Sequence, residues 1–242
     1  MKKPWWGSND LLSLFFIGLS LIGLTVLAVS TFTASISIIN FDMQKQLIGS
    51  IFASICILGI ILGIFPSRCS RILHFRTKSD KKEQNESETT TIGFVGHHPI
   101  CGNFSAHILR FGSKTYCAGC TGLVLGAIIS LLGISSYSFL DYDFGGNAAL
   151  VFWVGFIAVV CGLLQYHLPD GNMGSIHLLF NVTFVLGALF LLIGIHEITR
   201  NFILEVYSLV LIVYWIMARI MTSQMKHRKI CETCSLKSCS YV

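Results

Sequence analysis

Six long apolar runs limit this chain to membrane-type folds. They cover residues 11–29 with an extension to 39, 47–65, 120–140, 148–168, 176–196 and 202–221. Each matches the roughly 20 residues that a helix needs to cross a bilayer core. Because unpaired backbone groups are costly in hydrocarbon, and no run has the two-residue alternation of a barrel strand, we predict helices. The predicted fold class is an all-α membrane protein, a six-transmembrane-helix bundle with a small cytosolic Cys/His module.

The distribution of positive charge predicts how the bundle is oriented. Only 12% of the residues are charged and 53% are hydrophobic, whereas a soluble domain carries about 25% charged residues. With both termini in the cytosol, 15 of the 17 Lys and Arg residues lie in cytosolic segments, and Lys45 and Arg200 lie outside. The positive-inside rule therefore predicts a multi-pass protein of the cytoplasmic membrane with cytosolic N- and C-termini. The net charge of +5 follows from this topology, so the predicted partner is the lipid bilayer and not nucleic acid.

Changes in composition divide the chain into four regions. The first span is predicted to be an uncleaved helix, because its apolar run exceeds the roughly 7–15 residues of a signal-peptide core. The segment 67–91 is charged and polar, which is typical of a flexible cytosolic linker. We predict two transmembrane helices in 1–66, the linker in 67–91, a Cys/His loop with four transmembrane helices in 92–222, and a Cys-rich cytosolic tail in 223–242.

The loop before the third span has the ligand spacing of a zinc site. His98-Pro-Ile-Cys101 is followed after fifteen residues by Cys117-Ala-Gly-Cys120. Two residues between ligands let one chain turn occupy two corners of a tetrahedron, and the second pair supplies the other two. Disulfides are rare in the cytosol, where clustered cysteines are more often metal ligands or redox pairs. The loop therefore predicts a Cys₃His zinc site.

The tail adds Cys231, Cys234 and Cys239. The sequence does not decide which of the loop and tail ligands would share one metal site. The tail could form a second site, or Cys117, Cys120, Cys231 and Cys234 could form one Cys₄ site that ties the loop to the tail. An iron–sulfur cluster, which four thiolates would also hold, is the alternative to zinc, and a chain without cofactor is the third possibility.

The same Cys117-x-x-Cys120 pair permits a redox function. It stands where the third span begins, and a helix N-terminus favours a thiolate. A dithiol there could exchange electrons with other thiols or with a quinone in the adjacent lipid. A lone Cys-x-x-Cys without a thioredoxin-like context is a weak signal, so this is an alternative function.

Polar residues near the cytosolic ends of the fourth and fifth spans suggest a pocket beneath the Cys/His loop. Polar groups in spans are rare because their burial in lipid is costly. The competing interpretation is a wet turn between antiparallel helices. The predicted pocket residues are His97, His107, Gln165, His167, Asp170, His177 and Asn181. A smaller set at the other ends, His196, Glu197 and Glu205, is expected to be solvated.

The segment GHHPICGNFSAHILRFGSKTYCAGCTGLVLG resembles the signature of a prokaryotic family of predicted membrane proteins that is described only as a domain of unknown function. In that family a Cys/His stretch leads to Cys-x-x-Cys-x-Gly at the start of a helix. The resemblance spans residues 97–187 and implies a fold and a site but no reaction. The matching positions are Cys101, Cys117, Cys120, Gly122, Gln165 and Asn181.

The favoured function is a membrane protein with a cytosol-facing, zinc-binding Cys/His module that is structural or binds a small ligand, and not an enzyme. The alternatives are a thiol oxidoreductase using Cys117 and Cys120, and a transporter of small solutes or ions. An interruption of a span at mid-membrane is the usual sign of a transport site, and none of the six spans shows one in the sequence.

Overall fold

The computed structural model describes residues 8–34, 43–64, 94–95, 98–99, 104, 107–111, 114–140, 144–165 and 174–232. Within these residues the fold is helical, as predicted. The helices are α1 (Ser8–Thr33), α2 (Gln44–Ile64), α3 (Ala118–Phe139), α4 (Ala148–Leu164), α5 (Gly174–Thr199) and α6 (Phe202–Glu232). Four short strands precede α3, namely β1 (Phe94–Val95), β2 (His98–Pro99), β3 (Ile108–Phe111) and β4 (Lys114–Cys117).

Five of the six helices are long and apolar enough to cross a membrane. The exception is α4, which has 17 residues, about 26 Å of helix at 1.5 Å per residue. The last helix is longer than the predicted span, which ended at 221. It has 31 residues and continues to Glu232, so the beginning of the predicted tail, including the backbone of Cys231, is helical.

The centre of the bundle is α5, which packs against α3, α4 and α6. In its most apolar stretch 61% of the residues are buried, compared with 22–39% in the other spans. The two strand pairs are antiparallel hairpins, β1 with β2 and β3 with β4. In the second hairpin Ile108 faces Cys117, and the chain passes from Cys117 directly into α3. We call this end of the bundle the module end, and the opposite end the distal end.

Glycines allow α4 and α5 to approach closely. A Cβ atom on Gly155 would lie 2.6 Å from the backbone nitrogen of Leu191 and 2.8 Å from the carbonyl oxygen of Gly187, and one on Gly194 would lie 2.7 Å from Phe152. Small residues permit this kind of backbone contact between membrane helices. Gly122 and Gly126 of α3 approach the backbone of α5 in the same way, whereas Gly18 and Gly59 have no neighbour within 4 Å.

The substitution Gly155→Ala should therefore destabilise the protein by about 1–3 kcal/mol, because the added methyl group would force backbone atoms apart. The matched control is Gly59→Ala, which adds the same methyl group in open space and should be neutral or slightly stabilising. Thermal unfolding of the purified protein in detergent measures both effects. Equal melting temperatures for the two variants would contradict this packing.

Candidate functional site

A polar network centred on Arg219 lies at the module end of the bundle. The guanidinium donates hydrogen bonds to the carbonyl oxygen of Gly162, to Gln165 Oε1 at 2.6 Å, and to Asn181 Oδ1. It also lies 5.5 Å from the centre of the Phe184 ring. These partners belong to α4, to the residue that follows it, and to α5. One cationic side chain of α6 therefore links the end of α4 to the first turns of α5.

This network satisfies a charge whose burial would otherwise be costly. Ionisable groups in membrane helices face the bundle interior and pair with one another or with carbonyl oxygens. Hydrogen bonds that involve a charged group contribute about 1.5–3 kcal/mol each. Among the residues that the structure describes, the oxygens bound to Arg219 belong to neutral groups.

Two histidines continue the network towards the loop. The side-chain nitrogen of Gln165 lies 2.6 Å from His177 Nδ1, and Asn181 Nδ2 donates to the carbonyl oxygen of His177. The His177 ring stacks on His107, with ring centres 4.8 Å apart and planes 24° apart. His107 stands one residue before β3. The loop and the membrane helices therefore meet through two stacked imidazoles.

The Cys-x-x-Cys pair lies beside the same network. Cys117 is the N-cap of α3, with φ −72° and ψ 120°, and Cys120 is in the first turn. A Cβ atom on Gly119 would be 3.8 Å from Asn181 Nδ2 and 3.9 Å from Cys117 Sγ. Cys117 is buried and Cys120 is partly exposed, and both are thiols. A helix N-terminus carries partial positive charge, which favours the thiolate that metal binding or redox chemistry requires.

Four of the predicted pocket residues come together here: His107, Gln165, His177 and Asn181. The other three, His97, His167 and Asp170, lie outside the described residues. Of the predicted metal ligands, Cys101, Cys234 and Cys239 also lie outside, and His98 and Cys231 are described by their backbones in β2 and α6. Within the described residues no group of three or more His, Cys, Asp or Glu side chains is arranged to hold a metal.

The sequence interpretation missed Arg219 as a site residue, because it counted this arginine only as a topology signal. Its position two residues before the end of the predicted span was the signal that could have identified it, since an ionisable residue within a span is a candidate for function. At the distal end Glu205 also differs from expectation. It was expected to be solvated, but its side chain is fully buried.

No family model matches this sequence, and no match was found among curated proteins or solved structures. The resemblance to a family of unknown function therefore stays a prediction.

The substitution Asn181→Ala should destabilise the protein by about 1.5–3 kcal/mol, because it removes one oxygen from the partly buried Arg219 guanidinium. The control is Ser54→Ala, which deletes an exposed hydroxyl bonded only within its own helix and should change stability by less than about 0.5 kcal/mol. Thermal unfolding in one detergent compares the two variants. If Asn181→Ala costs no more than Ser54→Ala, the network does not hold the helix ends together.

Proposed function

We propose that this chain is a multi-pass protein of the cytoplasmic membrane in which a zinc-stabilised Cys/His module closes the polar site around Arg219. The module acts as a cap and ligand-binding element and not as a catalyst. The observation that carries the proposal is the position of Cys117 and Cys120 at the start of α3, beside Asn181 and the stacked histidines.

The order of elements supports a metal site in the loop. The strand that contains His98 pairs with β1, and β1 in turn contacts β4, which ends at Cys117. The hairpin β3–β4 then leads into the helix whose first turn contains Cys120, a strand–strand–helix order that zinc fingers also use. Such a module has too few residues for a core of its own, and bound zinc would supply the missing folding free energy.

The length of α6 favours a ligand set drawn from the loop alone. Arg219 is at the level of Asn181, which adjoins the Cys117 region. Cys231 follows twelve residues later on the same helix, about 18 Å further along its axis at 1.5 Å per residue. We therefore prefer His98, Cys101, Cys117 and Cys120 to a Cys₄ site shared with the tail. In this arrangement the chain supplies three thiolates and one imidazole, and zinc supplies a fixed tetrahedral centre.

Purified protein should contain about one zinc per chain, and Cys117→Ser should lose it. The matched control is Cys161→Ser, since Cys161 is an exposed cysteine on α4, far in sequence from the loop. Elemental analysis of the three proteins tests this directly. Zinc below half an equivalent in the wild type, or equal zinc in both variants, would contradict the proposal, and iron in place of zinc would indicate a cluster.

A thiol oxidoreductase is the second candidate, and the observation that favours it is the buried Cys117 beside the partly exposed Cys120 on one helix turn. In that reaction the two thiols form a disulfide, and two electrons and two protons pass to a quinone, which becomes the quinol. Two results together would support this candidate over zinc. The wild-type protein would contain no metal, and Cys117 and Cys120 would convert reversibly between dithiol and disulfide.

The proposed orientation predicts that the distal end faces away from the cytosol. Arg200 is exposed between α5 and α6 at that end, so a cysteine introduced by Arg200→Cys should react with a membrane-impermeant maleimide in intact cells. The native cysteine Cys120 at the module end should not react in intact cells. The reverse pattern would contradict the proposed topology.

A further inference from the structure

The last helix carries positive charge beyond the part of the bundle that crosses the membrane. From Phe202 onward, about 20 residues at 1.5 Å each cover the roughly 30 Å of a bilayer core, which places the edge of the core near residue 221. The helix continues past this point, and its next turns contain Lys226 and Lys229. These two residues therefore lie about 7 and about 12 Å beyond the core edge. The headgroups occupy roughly 5–8 Å on each side of the core, so both lysines are within side-chain reach of them.

The hairpin that precedes α3 lies at the same depth as Lys226. Arg219 of α6 donates to Asn181 of α5, and these two helices run in opposite directions. Gly174 lies seven residues before Asn181 on α5. Lys226 lies seven residues after Arg219 on α6, so it is level with Gly174, about 10 Å from that hydrogen bond. A Cβ atom on Gly174 would be 2.9 Å from a carbonyl oxygen of β3, and the same strand carries the exposed Arg110.

The two ends of the bundle differ in charge. The described side chains of the distal end include two bases and two acids, namely Lys45, Arg200, Glu197 and Glu205. Those of the module end include no acid and four bases, namely Arg110, Arg219, Lys226 and Lys229. In the whole sequence, the segments assigned to the cytosol hold 15 Lys and Arg but seven Asp and Glu. The module end is therefore the end that attracts anions.

We propose that Arg110, Lys226 and Lys229 form a cationic layer that binds the headgroups of anionic phospholipids in the cytoplasmic leaflet. The proposal rests on the proposed topology, in which the module end faces the cytosol. Basic residues directly cytosolic of a membrane helix are attracted to the negative surface of that leaflet. Lys229 is exposed and Lys226 is partly exposed. The long apolar stem of a lysine lets its ammonium group reach the phosphates from outside the headgroup region.

The arrangement of the cationic layer favours a membrane surface over a soluble anion. Its members belong to β3 and α6, two elements that share a depth relative to the bilayer. A small soluble anion needs bases that converge on one point, whereas an anionic leaflet offers many phosphates at one depth. Bases that share a depth therefore match a lipid surface.

The first test is the affinity of the full-length protein in detergent for phosphatidylglycerol and for phosphatidylcholine with the same acyl chains, measured by native mass spectrometry. The wild type should bind phosphatidylglycerol more tightly. Its affinity for this lipid should fall about fivefold in Lys229→Gln and about 25-fold in Lys226→Gln/Lys229→Gln, the loss expected when one or two bases near an anionic surface are removed.

The matched control is Arg200→Gln, which removes an exposed base from the distal end. Arg200 lies about 40 Å from Lys229 along α6, far beyond the roughly 8 Å over which charges act in physiological salt. This variant should therefore keep the wild-type affinity for phosphatidylglycerol. Equal affinity of the wild type for the two lipids would overturn the proposal, as would equal losses in Lys229→Gln and Arg200→Gln.

A second measurement uses the wild type alone. Raising sodium chloride from about 0.05 M to about 0.5 M should weaken the binding of phosphatidylglycerol and leave that of phosphatidylcholine unchanged, because salt screens the charges. Inorganic phosphate in excess over the lipid should not displace phosphatidylglycerol. Displacement by phosphate would overturn the proposal in favour of a soluble anion.

Zinc analysis of the same samples separates this proposal from that of the zinc module. Lys229→Gln should keep the zinc content of the wild type while it loses affinity for phosphatidylglycerol. A wild type that lacks zinc but prefers phosphatidylglycerol would support the cationic layer and contradict the zinc module alone. Detergent has no sides, so maleimide labelling of Arg200→Cys in intact cells tests the topology separately.

Discussion

A cation partly buried among apolar helices must find its oxygen partners inside the protein, and the partners of Arg219 determine how the module end is assembled. The oxygens of Gly162, Gln165 and Asn181 come from different parts of the chain. They can converge only if the end of α4 and the beginning of α5 lie at the level of Arg219 on α6. The surface that these ends form is where α3 begins with Cys117, so the position of the thiols depends on the same charge.

The helix α5 connects the two polar ends of the molecule. Its first turns carry His177 and Asn181, and its last turns carry His196 and Glu197. Between them most of its residues are apolar and buried, including Leu191 and Leu192. The partner helix α6 places Glu205 and Arg219 fourteen residues apart, about 21 Å along the axis. No polar side chain of α5 lies between the two ends other than Thr183, so α5 itself carries no continuous polar path between them.

Hydrophobic run length was sufficient to predict all six helices, because the bilayer sets their length. The position of polar residues at the span ends also predicted the grouping of Gln165, His177 and Asn181, since such residues meet when neighbouring helices are antiparallel. It did not predict Arg219 as the centre, because which side chain of α6 faces α4 and α5 depends on helix rotation. The rotation of a helix is set by packing contacts such as those at Gly155 and Gly194. The spacing of apolar residues in one sequence does not show which of these contacts form. The burial of Glu205 escaped prediction for the same reason.

The central claim is that Cys117 and Cys120 hold zinc together with His98 and Cys101. Cys117 is the N-cap of α3 and Cys120 lies in its first turn, where the helix terminus favours thiolates. X-ray absorption at the zinc edge of the purified wild-type protein tests this ligand set directly. We predict three sulfur neighbours at about 2.3 Å and one nitrogen neighbour at about 2.0–2.1 Å. A spectrum without sulfur neighbours, or with four sulfurs and no nitrogen, would contradict it.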